Sequence, residues 1–274
     1  MTTSQSKRSR RFIALHERDG AFVIPNPWDA GSARVLAHMG FEALATSSGA
    51  KAGVLGRVDG KVTRAEALTN AKTIVDATGL PVAADLENGF GDSPEEVAIT
   101  IQEAWTVGLV GASIEDFSGD TEQPIYDLNR SVRRIEAAVA AARSCPFHFT
   151  LTARAENFVR GNPDLDDTIQ RLRAYEAAGA DVLFAPGLPD LAAVRTVCAS
   201  LSKPFNFMVG ISGRSFSVAD LTAAGVKRIS LATSLYRAAM TGLVEAAREV
   251  KERGTFDYLD RAIATPDLNS HFES

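Results

Sequence analysis

The sequence predicts a single parallel (β/α)8 barrel of the α/β class, and three observations carry that prediction. Eight short apolar runs follow one another between Phe22 and about Glu252. Longer amphipathic segments separate them. Several of those segments end in a glycine just before the next apolar run. A chain of 274 residues is an ordinary length for one such barrel.

The runs are FVIPNP (22–27), ALATSS (43–48), PVAADLE (81–87), ASIEDF (112–117), FHFTLTAR (147–154), DVLFAPG (181–187), FNFMVG (205–210) and RISLAT (228–233). Their near-continuous apolar character fits strands buried on both faces. Between them, EEVAITIQEAWTVG repeats Val97, Ile101 and Trp105 at four-residue spacing, which lines one face of a helix. RSVRRIEAAVAAAR is rich in strong helix formers. The glycines of MGFEA, VGLVGA, AGADV and AGVKR follow helical segments, where the left-handed conformation caps a last turn. An open doubly wound sheet would show the same alternation. No Gly-x-Gly-x-x-Gly follows the first run, which argues against a dinucleotide site.

No linker rich in Pro, Gly or Ser interrupts the chain. Residues 1–254 read as one barrel with a basic N-terminal arm, SQSKRSRR, taken as solvated. Residues 255–274 read as a tail of the same domain, either a short helix with a loose end or an arm on a neighbouring subunit.

With 29 basic against 34 acidic side chains and no basic stripe, nucleic acid is not an expected partner. No apolar stretch reaches the roughly 18 residues of a membrane span, and no signal-like run follows the basic start. The expected location is cytoplasmic. Cys145 and Cys198 are too few for a disulfide framework and lie away from the catalytic end of a barrel, so both read as structural.

Chemistry in such barrels sits at the C-terminal ends of the strands. The third run ends in Asp85-Leu86-Glu87, and residues i and i+2 of a strand share a face. Both carboxylates are therefore expected at the axis, with Leu86 turned to the helices. The fourth ends in Glu115-Asp116, of which only one can face inward. Acids converging at one mouth repel unless a positive charge sits among them. Hard oxygen ligands suit Mg2+ or Mn2+, with Asp85, Glu87 and Glu115 as candidate ligands, one direct and the others through water. Helix capping or pairing with arginine is the competing use of such acids.

Arg154 ends the fifth run, where it can hold a substrate carboxylate or neutralise Glu115 or Glu156. Thr46-Ser47-Ser48-Gly49 after the second run can cradle a carboxylate or enolate oxygen, or simply cap a helix. Asp29 is read as a helix cap. None of the four histidines falls at a catalytic strand end, which argues against a zinc site.

In order, NPWDAGSARVL, ATSSG, DLENGFGD, SIEDF, LTARAE and ADVLFAPG resemble the isocitrate lyase/phosphoenolpyruvate mutase family, from about Phe22 to Gly254. That resemblance implies Mg2+ and a small 2-oxo acid or 2-hydroxy carboxylate handled as its enolate. It implies Asp85 as metal ligand, with Glu87 and Glu115 as the further motif acids. Ser48, Gly49, Arg154 and Asn206 match its substrate-binding positions, and Asp59 matches its acid after the second strand; Asp59, Glu115 and Arg154 are the implied catalytic set. A homo-oligomer, dimer or tetramer, is implied too, with SLYRAAMTGLVEAAREV exchanged between subunits.

The chain also departs from the family. Its lyases carry a Lys-Lys/Arg-Cys-Gly-His loop after the fourth strand; here the stretch reads Phe117-Ser118-Gly119-Asp120-Thr121-Glu122-Gln123-Pro124. No lysine occurs from 73 to 202. The expected reaction is C–C cleavage, by a lyase or decarboxylase, with Asp59, Glu122, Tyr126 or a metal-bound water left open as the proton carrier. A P–C bond enzyme of the phosphonomutase or phosphonopyruvate hydrolase type is the alternative, and a non-catalytic 2-oxo acid binder is a third.

Overall fold

Each apolar run becomes a strand, shorter than the run because its polar end turns into a loop. The computed structural model describes residues 3–273. In chain order the elements are α1 (Thr3–Glu17), β1 (Phe22–Ile24), α2 (Ala30–His38), β2 (Leu44–Ala45), α3 (Ser48–Val54), α4 (Arg64–Ala77) and β3 (Val82–Asp85). Then come α5 (Pro94–Thr106), β4 (Gly111–Glu115), α6 (Leu128–Arg143), β5 (Thr150–Arg154), α7 (Leu165–Ala177), β6 (Val182–Phe184) and α8 (Leu191–Ala199). The chain ends with β7 (Phe205–Met208), α9 (Val218–Ala223), β8 (Arg228–Ser230), α10 (Ser234–Arg253) and α11 (Thr265–Ser270).

All strand pairs are parallel, in the order β1-β8-β7-β6-β5-β4-β3-β2. The Ala45 N–H donates to the Pro25 carbonyl at 3.0 Å and draws β2 back to the chain after β1. The result is the expected (β/α)8 barrel, nearly closed. Asp29, Thr63 and Ser93 start α2, α4 and α5 with reciprocal capping boxes, so Asp29 has the capping role read from sequence. The predicted terminating glycines Gly40, Gly108, Gly179 and Gly225 all have positive φ. Between strands and helices, Leu86, Val97, Ile101, Leu151 and Phe205 form one apolar layer. Full burial of each such side chain contributes about 1.5–3 kcal/mol.

The solvated N-terminal arm is corrected by α1. Residues Gln5, Ser9, Phe12 and Leu15 fall on one helical face and are buried, while Lys7, Arg10 and Arg11 face water. Phe12 and Leu15 pack on Phe22, Ile24, Ala43, Ala83 and Val110 and close the N-terminal end of the barrel. Gln5 Nε2 donates to the Trp105 and Leu109 carbonyls, and Ser9 Oγ to the His148 carbonyl at 2.6 Å. Among the described residues of α1, three of the five buried ones, Gln5, Ser9 and His16, are polar, so the basic composition hides that face.

The tail contains α11 and returns to α2, where Arg34 Nη1 donates to the Phe272 carbonyl and the rings of His38 and His271 meet edge to face at 4.7 Å. In contrast α10 buries only Glu249 and exposes Leu243 and Val244. Among the described residues no helix is long and apolar enough to cross a membrane.

Candidate active site

A cleft of about 360 Å3 opens at the C-terminal ends of the strands, and Ser48, Gly49, Asp59, Asp85, Arg154 and Asn206 all line it. Strand alternation explains most of this arrangement. Asp85 ends β3 facing inward, and Leu86 turns into the helix layer with no exposure. Glu115 ends β4 inward, and Asp116 points the other way into the helices. There Asp116 accepts from the Tyr175 hydroxyl at 2.6 Å, from Arg171 Nη1 at 3.2 Å and from the Glu156 N–H at 2.8 Å. The reading that only one of this acidic pair reaches the axis holds, and it is Glu115.

Glu87 reaches the site by another route than the one expected. β3 stops at Asp85, so strand alternation no longer applies two residues later. Glu87 takes φ +50° in the turn, and its N–H donates to Asp85 Oδ1 at 3.3 Å. It lines a narrow recess beside the cleft, together with Ser48 and Lys51. Burial first, then the charges of Asp85 and Asp59, push its carboxyl up to about 7.

Asp85 accepts from the Ser48 N–H at 3.4 Å, and its own N–H donates to Thr46 Oγ1 at 3.0 Å. Ser47 caps α3 through Ala50 N, so the capping role belongs to Ser47 while Ser48 and Gly49 begin the helix at the cleft wall. A Cβ on Gly49 would lie 2.9 Å from Thr233 Cγ2 and 3.2 Å from Asp59 Oδ2, so glycine alone lets these segments approach. Asp59 is brought to the cleft by this contact.

Arg154 is enclosed by acids. Its Nη1 lies 3.2 Å from Glu115 Oε2 and 3.8 Å from Asp85 Oδ2, and its Nε pairs with Glu156. Burial alone would lower its pKa, but Glu156, Glu115 and Asp85 together hold it above the ordinary arginine range. Arg160, which sequence reasoning missed, pairs with Glu156 at 2.9 Å and Glu115 at 3.7 Å and stacks on Phe117. Its i,i+4 spacing from Glu156 was the available signal. Glu115 is nevertheless raised well above the usual carboxylate range, by burial ahead of any charge. The other proton candidates lie elsewhere: Glu122 is exposed on the hairpin after β4, and the Tyr126 hydroxyl donates to Asp92. Asn206 is 1% exposed, with both amide ends engaged by Ser230 and Arg228.

The donor set suits a hard divalent ion such as Mg2+ or Mn2+. Every candidate ligand atom is a carboxylate oxygen, as those ions require. Among the described residues no group of three or more His, Cys, Asp or Glu side chains forms a closed cage. Arg154 already pairs with Glu115 at 3.2 Å and with Glu156. Asp85 is the acid left partly open to the cleft, and its arginine contact is long. The residues therefore fit an ion held by one direct carboxylate and otherwise by water.

A (β/α)8 barrel with its acids gathered at the C-terminal mouth defines the fold and the place of the site, and comparison with known proteins narrows its class. The phosphoenolpyruvate phosphomutase family model matches residues 12–251. The chain belongs to that family, within the isocitrate lyase/phosphoenolpyruvate mutase group. It is 30% identical to an oxaloacetate decarboxylase of Bradyrhizobium diazoefficiens, over 89% of this chain and 84% of that one. It is 29% identical to a 2-methylisocitrate lyase of Halalkalibacterium halodurans, over 92% and 85%. A Burkholderia cenocepacia J2315 structure described only as a lyase/mutase superposes with TM-score 0.97 at 49% identity, covering 100% of this chain and 98% of that one.

Proposed function

We propose that the protein is a carbon–carbon lyase or decarboxylase acting on a small 2-oxo acid or 2-hydroxy di- or tricarboxylate through an enolate, with Mg2+ or Mn2+ held at Asp85. The observation that carries this reading is the position of Asp85, an open carboxylate at the cleft beside the Ser48 N–H and within reach of an arginine-held pair of buried glutamates. Asp85 would hold the ion, with Glu87 and Glu115 as the further acids beside it, and when bound the ion would supply Lewis-acid stabilisation of negative charge on the substrate's oxo group.

The protein's own groups do the rest. The backbone N–H of Gly49, beside the Ser48 N–H that holds Asp85 at 3.4 Å, orients substrate oxygens at the mouth of β2. Arg154 and Arg160 offset the repulsion among Asp85, Glu115 and Glu156 and fix their positions. Of Asp59, Glu122 and Tyr126, only Asp59 lines the cleft, so Asp59 is the side chain that exchanges a proton with the substrate. The hairpin after β4 carries Asp120 and Glu122 and no lysine, which favours C–C over phosphoryl chemistry. The bare apolar face of α10 supports a homo-oligomer, dimer or tetramer, in which that helix is covered by a neighbour.

Oxalate, a planar mimic of a 2-oxo acid enolate, tests the reading. Asp85→Ala is expected to abolish Mg2+-dependent oxalate binding in calorimetry while circular dichroism stays unchanged. Undiminished binding overturns it. Release of a 2-oxo acid from 2-alkylmalates, 2-alkylisocitrates or oxaloacetate in the presence of Mg2+ then identifies the reaction.

A further inference from the structure

At its inner end the cleft holds a cation with no anion. Arg228 opens β8 and is 6% exposed, yet it lines the cleft. Its Nε donates to Asn206 Oδ1 at 2.8 Å and its Nη2 to Thr152 Oγ1 at 2.9 Å. Both acceptors are neutral. Among the described residues its Nη1 makes no hydrogen bond, and no carboxylate pairs with it. Below it sits His16, which is itself held neutral and brings no compensating charge. Burial lowers the Arg228 pKa to about 9, which leaves it cationic at neutral pH.

The contrast with Arg154 is direct. Arg154 is surrounded by Glu115, Glu156 and Asp85, so its charge is already answered. A guanidinium has five N–H donors, and Arg228 spends two of them on neutral oxygens. Burying an unpaired charge is costly. Such a group is retained where an anion arrives to meet it.

We propose that Arg228 is a specificity-determining residue that binds a second carboxylate of the substrate, the one remote from the reacting 2-oxo group. This rests on the 2-oxo acid reading above and deepens it. Asp85 on β3 and Arg228 on β8 line one cleft from different sides of the barrel. A molecule spanning them carries one carboxylate at the Ser48 end and another at the Arg228 end. The substrate class is then a di- or tricarboxylate, and simple monocarboxylic 2-oxo acids bind poorly.

The test compares acids that differ only in a terminal carboxylate against methyl, at two chain lengths: 2-oxoglutarate against 2-oxopentanoate, and malate against 2-hydroxybutanoate. Calorimetry on the full-length protein, with and without Mg2+, should show the diacid favoured in at least one pair. A charge-assisted contact of this kind corresponds to about tenfold to hundredfold in affinity. Arg228→Gln is expected to remove that preference, diacid affinity falling toward that of the monoacid. Thr152→Asp, which places a carboxylate beside the Nη2 that now meets Thr152 Oγ1 at 2.9 Å, is expected to remove the preference without deleting the arginine, and it decides the matter where Arg228→Gln fails to fold. Equal affinity for diacid and monoacid in both pairs overturns the proposal, as does a preference that survives the substitutions. Oxalate binding that ignores Mg2+ or Asp85→Ala would instead refute the metal reading, and the diacid preference would still judge Arg228.

Discussion

His16 makes the barrel floor sensitive to acid, and the size of the effect follows from its surroundings. Its ring lies edge-on to Phe12 at 4.7 Å and to Phe22 at 5.0 Å, and its Nδ1 is 2.8 Å from the Phe12 carbonyl. Its Nε2 is buried with no partner. A proton on Nε2 would put a charge into an apolar space near Arg228. Burial, and after it the Arg228 charge, lowers the pKa from 6.5 to about 3. The folded protein therefore keeps His16 neutral, while the unfolded chain takes up a proton near pH 6.5. The stability that neutral His16 contributes is complete above that pH and is lost as pH falls toward 3. At about pH 5 the loss amounts to about 2 kcal/mol. Urea unfolding of the wild type and of His16→Leu, at one protein concentration and at several pH values between about 7.5 and about 5, measures it. The variant should lose less stability than the wild type across that range, by about 2 kcal/mol. Parallel curves for the two proteins would refute the argument that burial holds His16 neutral.

Asp116→Ala removes the acceptor shared by Tyr175, Arg171 and the Glu156 N–H. It should destabilise the fold by about 2–3 kcal/mol in urea unfolding, because the buried Tyr175 hydroxyl and Glu156 N–H lose their acceptor, while Arg171 keeps Asp167 at 2.8 Å. Leu243→Lys combined with Val244→Lys, on the exposed face of α10, should shift the protein from oligomer to monomer in size-exclusion chromatography with light scattering. An unchanged mass would remove α10 from the interface.

The strands and their ends were legible because a buried parallel strand leaves a plain mark, an apolar run bounded by helix caps and glycines. Asp85 and Leu86 followed from alternation and lie on the predicted sides, while for Glu115 and Asp116 alternation said only that one faces inward, and the structure turns Asp116 into the helices. Glu87 did not follow in the same way. Alternation ends where the strand ends, and the φ +50° turn after Asp85 has no signature in a two-residue spacing. α1 stayed hidden for a different reason: Gln5 and Ser9 bury their polar atoms by bonding to carbonyls distant in sequence, and His16 is buried with them, so much of its inner face is not apolar.

The two arginines of the cleft show where sequence reasoning reaches its limit. Arg154 and Arg228 both belong to strands and both line the same cleft. Arg154 stood out because it ends its run beside acidic motifs, whereas Arg228 begins its run and looks like the polar edge of an apolar strand. What separates them is the charge around the barrel axis. Acids reach Arg154 from β3, from β4 and from the turn after β5, while β1, β7 and β8 bring Arg228 no acid at all. That imbalance exists only once the strands are ordered into a barrel. It is also the reason for expecting the substrate to supply the missing negative charge at β8.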